Sequence, residues 1–321
     1  MSGDPVTPTD ARAQAALPVR TRSLAREVRR HLPYYLIILP AIVTFIVIKY
    51  IPMAGVVLAF HDYTITGGIW GSEWVGLKYF ERMARSPDFL QVFRNTLLIS
   101  LLKLFTVFPA PIVFALMLNE VLNVRLKRVF QTISYLPHFI SWVLAAGLFR
   151  AFFSFEGPVN YVIVSFGGEP VVFMKDPFFF LSVVVASGVW KTVGWGSIIY
   201  LAAITGIDQQ LYDAAEIDGA GRMHRIWYIT LPSILPVIVV LFLLRIGDIF
   251  EAGFDQIINL YSPIVYSVGD IIDTYVYRQG LVNLEFSYTT AVGLSKNVLG
   301  LILLLVMNSV IKRFGARGTV L

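Results

Sequence analysis

The side chains able to break bonds are few in this chain, and they do not gather. Its four histidines, His31, His61, His138 and His224, show neither H-x-x-x-H nor H-E-x-x-H spacing, and cysteine is absent. A histidine-based metal site, a thiolate nucleophile and a disulfide framework are thereby set aside. No G-x-x-x-x-G-K-[ST] run occurs, so no phosphate loop of that type is encoded. The remaining polar chemistry takes two forms. One is the stretch YDAAEIDGAGRMHRIWYITLP, Tyr212–Pro232, lying between two apolar runs. The other is a scatter of polar residues inside apolar runs: Lys103, His138, Trp142, Lys191, Trp195, Arg245, Asp248, Lys296 and Asn297. Ionisable groups in such surroundings are costly and mark pathways or internal pairs.

Apolar elements must hold these residues. Of 321 residues 56% are hydrophobic and 15% charged, where a soluble domain carries about 25% charged residues. Mean hydropathy is +0.70. An ordinary soluble enzyme, a disordered tail and a collagen-like fibre are excluded. Six stretches reach the roughly 20 residues needed to cross a bilayer: Tyr34–Val57, Thr96–Leu118, Ile133–Phe153, Phe178–Ala202, Ser233–Gly253 and Thr289–Ile311. Pro137 and His138 interrupt the third, and Arg245 and Asp248 the fifth.

Residues 1–31 read as a basic cytoplasmic arm whose end, Ser23–His31, is expected to form a short surface helix. Residues 32–321 form the transmembrane domain. Fourteen Lys and Arg fall on one predicted side and six on the other, which places both termini in the cytoplasm. The net charge of +5 reports this loop bias, so no nucleic-acid partner is expected. On the outer side, His61–Asn95 carries Trp70, Trp74, Tyr79 and Phe80. Pro158–Phe166 and Ile271–Leu281 read as short interfacial helices. These aromatics fit either anchoring at headgroup level or docking of an external partner.

In the polar stretch, Asp213 is expected to start a helical turn that Ala214 and Ala215 keep thin. Asp218-Gly219 breaks it, Gly219 taking a positive φ. A second turn carries Met223, Ile226 and Trp227 on one side and Arg222 and Arg225 on the other. Leu231-Pro232 stops that turn before the next span. The predicted product is a small-faced knob on a kinked stem. Connectors usually run about 4–6 residues, so one exceeding twenty is built to contact something.

Asp213-Ala214-Ala215, Glu216, Ile217-Asp218-Gly219-Ala220 and Ile229-Thr230-Leu231-Pro232 together resemble the E-A-A-x-x-x-G-x(9)-I-x-L-P loop. That loop marks membrane permeases of binding-protein-dependent ABC importers. Asp213 departs from the usual Glu, and Ile226 from a common Phe. The resemblance extends through Phe93-Arg94-Asn95-Thr96-Leu97, Trp190-Lys191-x-x-Gly194-Trp195 and Tyr200-Leu201-Ala202-Ala203. Gly253-Phe254-Asp255-Gln256 and Asp273-Thr274-Tyr275-Val276-Tyr277-Arg278 look like the branch handling complex oligosaccharides.

The resemblance implies an all-α membrane protein of about six spans with type I ABC importer permease architecture, in a bacterial inner membrane. It implies that Asp213, Ala214, Ala215, Glu216, Asp218, Gly219, Ala220, Leu231 and Pro232, within a cytoplasmic loop 205–232, couple the chain to ATP-binding subunits. Two such subunits would carry the ATP and Mg, leaving this chain with no cofactor, no metal and no catalytic residue. The implied partners are a second, different permease chain, an extracytoplasmic solute-binding protein, an oligosaccharide and the lipid bilayer.

For the path, Trp142, Lys191, Trp195, Arg245, Asp248 and Asn297 offer the aromatic faces and polar groups that sugars use. Arg245 and Asp248 are also spaced to pair with each other, and Lys103 to snorkel. The excess of positive charge in the spans suits an acidic sugar such as a uronate, or else reflects pairing and interfacial lysines, Lys296 among them. A stand-alone secondary transporter or channel, and a membrane-embedded enzyme, are the competing classes. The first lacks support from any internal repeat, the second from any acidic or His cluster.

Overall fold

A computed structural model describes residues 24–313. The expectations for residues 1–23 and 314–321 lie outside the described residues. Contacts divide the chain into two units, Met1–Gly55 and Val56–Leu321.

In the first unit α1, Leu24–Phe45, runs without interruption from the basic segment into the first span. The expected separate surface helix does not form. No Gly or Asn stands between Leu24 and Tyr34 to end the helix. Pro33 and Pro40 lie inside α1 and each forfeits a backbone bond without stopping it. Every side chain from Leu32 to Ala54 is exposed, and a helix apolar on all sides belongs in lipid.

The second unit opens with a minimal hairpin, His61–Asp62 paired antiparallel with Glu73–Trp74, and then α2, Lys78–Arg85. Next comes α3, Pro87–Thr106, followed by α4, Pro109–Asn119. Together they make a 33-residue candidate span, Pro87–Asn119. It starts nine residues before the expected Thr96, because Ser86 caps it by accepting the Phe89 N–H and Pro87 occupies the first turn.

The third span is not straight. Helix α5, Val124–Phe139, and α6, Trp142–Phe152, meet at a bend of 106°. Pro137 sits in the last turn of α5, Ile140 is extended, and Ser141 caps the new helix through the Leu144 N–H. After the short α7, Pro158–Ser165, Asp176 caps the 29-residue α8, Pro177–Thr205. Then follow α9, Gln209–Ile217, and a 26-residue helical run, Arg222–Gly247, whose membrane part is α10, Leu231–Gly247. This fifth span ends six residues short of the expected Gly253, with Asp248 as its C-cap. The chain resumes as α11, Phe254–Leu260, then α12, Ile272–Tyr277, and α13, Phe286–Arg313.

Three buried clusters lie along this unit. The first gathers Tyr79, Phe89, Phe250, Tyr275 and Tyr288. The second joins Ile99, Phe180, Val184, Ile257 and Ile271. The third packs Ile112, Leu118, Tyr200, Ile204 and Ile234. Because Ile272, Thr274 and Tyr275 are buried, α12 is core and does not lie at the lipid interface as expected. The anchoring role proposed for Tyr79 fails likewise, for it is buried, whereas Trp70 is 96% exposed.

Candidate functional site

In the polar loop, Asp208 rather than Asp213 caps α9, accepting the Gln210 N–H at 3.0 Å. The preceding helix ends at Thr205, which leaves Asp208 at the first position free to be extended. Asp213 lies inside the helix and accepts from Gln209 Nε2 at 3.3 Å. Gly219 has φ of +76°, as the Asp-Gly pair suggested. Its N–H reaches the Glu216 carbonyl at 3.0 Å, and the Ala220 N–H reaches the Ala215 carbonyl at 2.8 Å. These two bonds are the Schellman closure of a helix. Arg225 then bridges back to Glu216 at 3.1 Å.

Leu231-Pro232 does not stop the second turn. The helix passes from Arg222 through a widened π turn at Ile226–Thr230 straight into α10, and Pro232 is accommodated in the first turn of α10. Tyr212 Oη sits 2.8 Å from Thr230 Oγ1, tying the short helix to the base of the fifth span. No residue of α9 is buried, and Ile217, Met223 and Trp227 are exposed. Asp213, Ala214, Glu216, Asp218 and Gly219 all face outward on this knob, with Ala215 and Ala220 half-buried.

The polar residues of the spans separate into two groups. Lys191 and Lys103 serve the backbone. Lys191 Nζ donates to the carbonyls of Pro137 at 3.3 Å, His138 at 3.2 Å, and Ile140. Lys191 thus caps the His138 and Ile140 carbonyls at the break in the third span, which lipid could not satisfy. It gives a second donor to the Pro137 carbonyl, which also accepts the Ile140 N–H at 3.2 Å. The Lys191 ammonium also lies 5.2 Å from the Trp142 ring centroid. Lys103 does not snorkel. It is 5% exposed and donates to the Ala252 carbonyl and Gln256 Oε1, each at 2.5 Å. Gln256 in turn donates to the Val184 carbonyl and Ser187 Oγ. This tie holds the segment between the fifth span and α11, where Gly253 takes φ of +96°.

The second group meets in a cleft of about 740 Å³. Trp142 and Arg245 line it, together with Glu251, Asp255, Asp273 and Lys296. Tyr277, Phe254 and Phe286 supply aromatic surface. Lys296 does not run to an interface, since it pairs with Asp273 at 2.5 Å. Arg245 and Asp248 make no ion pair among the described residues, because the helix ends between them at Gly247. Asp248 and Asn297 are exposed and outside the cleft wall. Trp195 is also outside it, stacked on His138 with centroids 4.5 Å apart. The three carboxylates of the cleft were not singled out from sequence. Asp255 and Asp273 stand in stretches flagged by resemblance, but nothing local shows that Asp273 would meet Lys296, 23 residues on.

Residues 107–316 match the family described as the binding-protein-dependent transport system inner membrane component. The chain belongs to this family. It is a membrane permease of the ABC type, all-α, and the matched region holds both the loop and the cleft. The permease is 44% identical to the LplB protein of Bacillus subtilis over 285 residues, 88% of this chain and 90% of that one. It is 47% identical to YteP of the same organism, a polygalacturonan/rhamnogalacturonan transport system permease protein, over 88% of this chain and 89% of the relative. Among solved structures, it resembles a chain of a bacterial ABC transporter involved in import of the acidic polysaccharide alginate. The TM-score is 0.84 at 39% identity, covering 91% of the permease and 99% of that chain. A second structure of a bacterial alginate ABC transporter, in complex with an alginate pentasaccharide-bound periplasmic protein, matches with a TM-score of 0.85, also at 39% identity, over 92% of the permease and all of its chain.

Proposed function

We propose that this permease forms half of an oligosaccharide import path, with the hydrolysis of ATP carried by separate cytoplasmic subunits. The observation that carries the proposal is the unburied helix α9, closed at Gly219 and tied by Tyr212 to the fifth span. Such a helix is a lever: force applied to its thin Ala214 face passes through the Tyr212–Thr230 bond into α10 and so to Arg245 in the cleft. Two ATP-binding subunits, holding ATP and Mg, would dock on loop 205–232, with Leu231 and Pro232 in the continuous helix that joins it to the span. A second permease chain completes the path, and an extracytoplasmic binding protein delivers the sugar. Both termini lie in the cytoplasm, with residues 1–31 as an arm and 32–321 as the permease domain.

The names of the relatives favour an acidic oligosaccharide. In the cleft Lys296 is neutralised by Asp273, which leaves Arg245 to meet a sugar carboxylate in a forked contact. Glu251 and Asp255 accept sugar hydroxyls, and Trp142 and Tyr277 cover ring faces.

The test is reconstitution with the ATP-binding subunit, the second permease and the binding protein in proteoliposomes. ATPase activity should rise on adding sugar-loaded binding protein and be lost in Ala214→Trp. Arg245→Gln should cut uptake of acidic sugars about tenfold or more while sparing neutral ones. Sugar uptake by the permease alone, without ATP, would instead identify a secondary transporter. Equal loss of neutral and acidic sugars in Arg245→Gln would make Arg245 a scaffold residue.

A further inference from the structure

Two cavities outside the cleft share the ring of Phe153. One, about 370 Å³, is apolar and lined by Leu148, Phe149, Phe152 and Trp190 as well as Phe153. The other, about 490 Å³, contains Arg150 and Lys175. No carboxylate lines either one, in contrast to the three acids of the cleft. Among the described residues neither cation enters an ion pair, whereas Lys78, Arg82, Arg225, Arg278 and Lys296 all do. The hydrogen bond of Arg150, Nη2 to the Tyr261 carbonyl, is long at 3.5 Å.

Lining chemistry distinguishes the two chambers. Arg150 is in the last turn of α6, and Lys175 stands two residues before α8 begins at Pro177. Phe149 and Phe152 on α6 and Phe153 at its C-cap flank Arg150 and line the apolar chamber with Trp190 of α8, so the apolar chamber adjoins the basic one directly. A single occupant that suits both chambers has an anionic head and a hydrocarbon tail.

We propose that this pair of cavities binds an anionic phospholipid, its phosphate between Arg150 and Lys175 and one acyl chain against Phe149, Phe152, Phe153 and Trp190. Basic pockets beside membrane helices attract acidic headgroups. The aromatic chamber adds what a soluble anion lacks, a tail to shield the Phe149–Trp190 edge contact, at 5.4 Å between centroids. A bound lipid would brace the bent third span against the start of the fourth.

The experiment is native mass spectrometry of the permease purified with its partner subunits. The probes are phosphatidylglycerol, phosphatidylcholine, glycerol phosphate and trigalacturonate. Wild type should retain phosphatidylglycerol over phosphatidylcholine. Arg150→Gln and Lys175→Gln should each weaken its retention about fivefold. Val159→Trp, which fills the apolar chamber, should weaken both lipids. If Val159→Trp fails to assemble, the two exposed charge variants still decide the matter, with subunit co-purification reporting their folding. Unchanged phosphatidylglycerol retention in both charge variants would overturn the proposal. So would glycerol phosphate binding as tightly as the lipid. Binding of trigalacturonate, lost in Arg150→Gln while phosphatidylglycerol is not retained, would assign the basic chamber to sugar passage.

Discussion

Replacing Gly219 separates backbone strain from crowding, because a Cβ at that position would meet no atom within 4 Å. Its φ of +76° is then the whole of the cost. For an L-residue the left-handed conformation costs about 1–2 kcal/mol, so Gly219→Ala should raise the population with an opened cap roughly 5–30-fold. Gly219→Val should do worse, since β-branched residues are genuine outliers at positive φ. Gly219→Asn should do least, as Asn is the other residue accepted at this helix-end position. The expected order of damage is therefore Asn, Ala, Val. If side-chain volume were what mattered, Ala would be mildest. Two readouts apply: hydrogen exchange at the amides of residues 219 and 220, which make the two closing bonds, and co-purification of the ATP-binding subunit. An Asn variant more damaged than the Ala variant would refute the backbone argument.

Lys191→Met should strip the donor from the His138 and Ile140 carbonyls at the break of the third span, the Pro137 carbonyl keeping the Ile140 N–H. Each buried unsatisfied group costs about 1–3 kcal/mol, so detergent thermal unfolding should shift well downward while sugar preference in the surviving protein stays unchanged. Gln256→Leu should leave the Lys103 ammonium with the Ala252 carbonyl alone, at a cost of about 1.5–3 kcal/mol for the lost hydrogen bond to a charged group. The double variant Lys103→Met with Gln256→Leu should be more stable than the sum of the singles, and strict additivity in equilibrium unfolding would disprove the tie. Outside the spans, the hydrogen bond from Lys78, with a second from Tyr79, holds the Asp62 carboxyl below its usual range. That contribution is present above an unfolded value of about 3.9 and is lost as pH falls through the lower folded one. Burial first, then the Asp62 bond, pushes Tyr79 up to about 12, so its contribution is present below about 10 and is lost as pH rises towards 12. Exchange protection of the Val75 amide, bonded to the Phe60 carbonyl at 2.8 Å, should show both limbs. Asp62→Asn should remove the acid limb, and its persistence would mean another group controls the hairpin.

The features legible in sequence are those that neighbours in the chain decide. Asp218-Gly219 announces a helix end because the φ requirement sits in one residue. Pro137 announces a fault in the third span for the same reason. The cap of α9 was misplaced by five residues, since Asp208 and Asp213 are chemically alike. Only the end of the preceding helix at Thr205 selects between them. The partner of Lys191 was hidden, because Ile140 is 51 residues away and reading the bond requires knowing which helices lie side by side. The expected Arg245–Asp248 pair assumed a continuous helix, and the C-cap at Asp248 removes the geometry that three-residue spacing presumes. The cleft carboxylates were least legible, as Glu251, Asp255 and Asp273 lie beyond the fifth span in segments whose fold depends on the buried Lys103–Gln256 tie.

The broken third span also carries a consequence for biosynthesis. Its halves have 16 and 11 residues, about 24 and 17 Å of helix, and neither reaches across about 30 Å of hydrocarbon. At the ribosome, Lys191 follows Ile140 by 51 residues, which is about 3–10 s of bacterial chain elongation. Over that interval the bend carries open carbonyls that the nascent chain cannot yet cap. The third span is therefore expected to leave the insertion machinery for lipid together with the fourth, as a pair whose join waits for the Lys191 side chain.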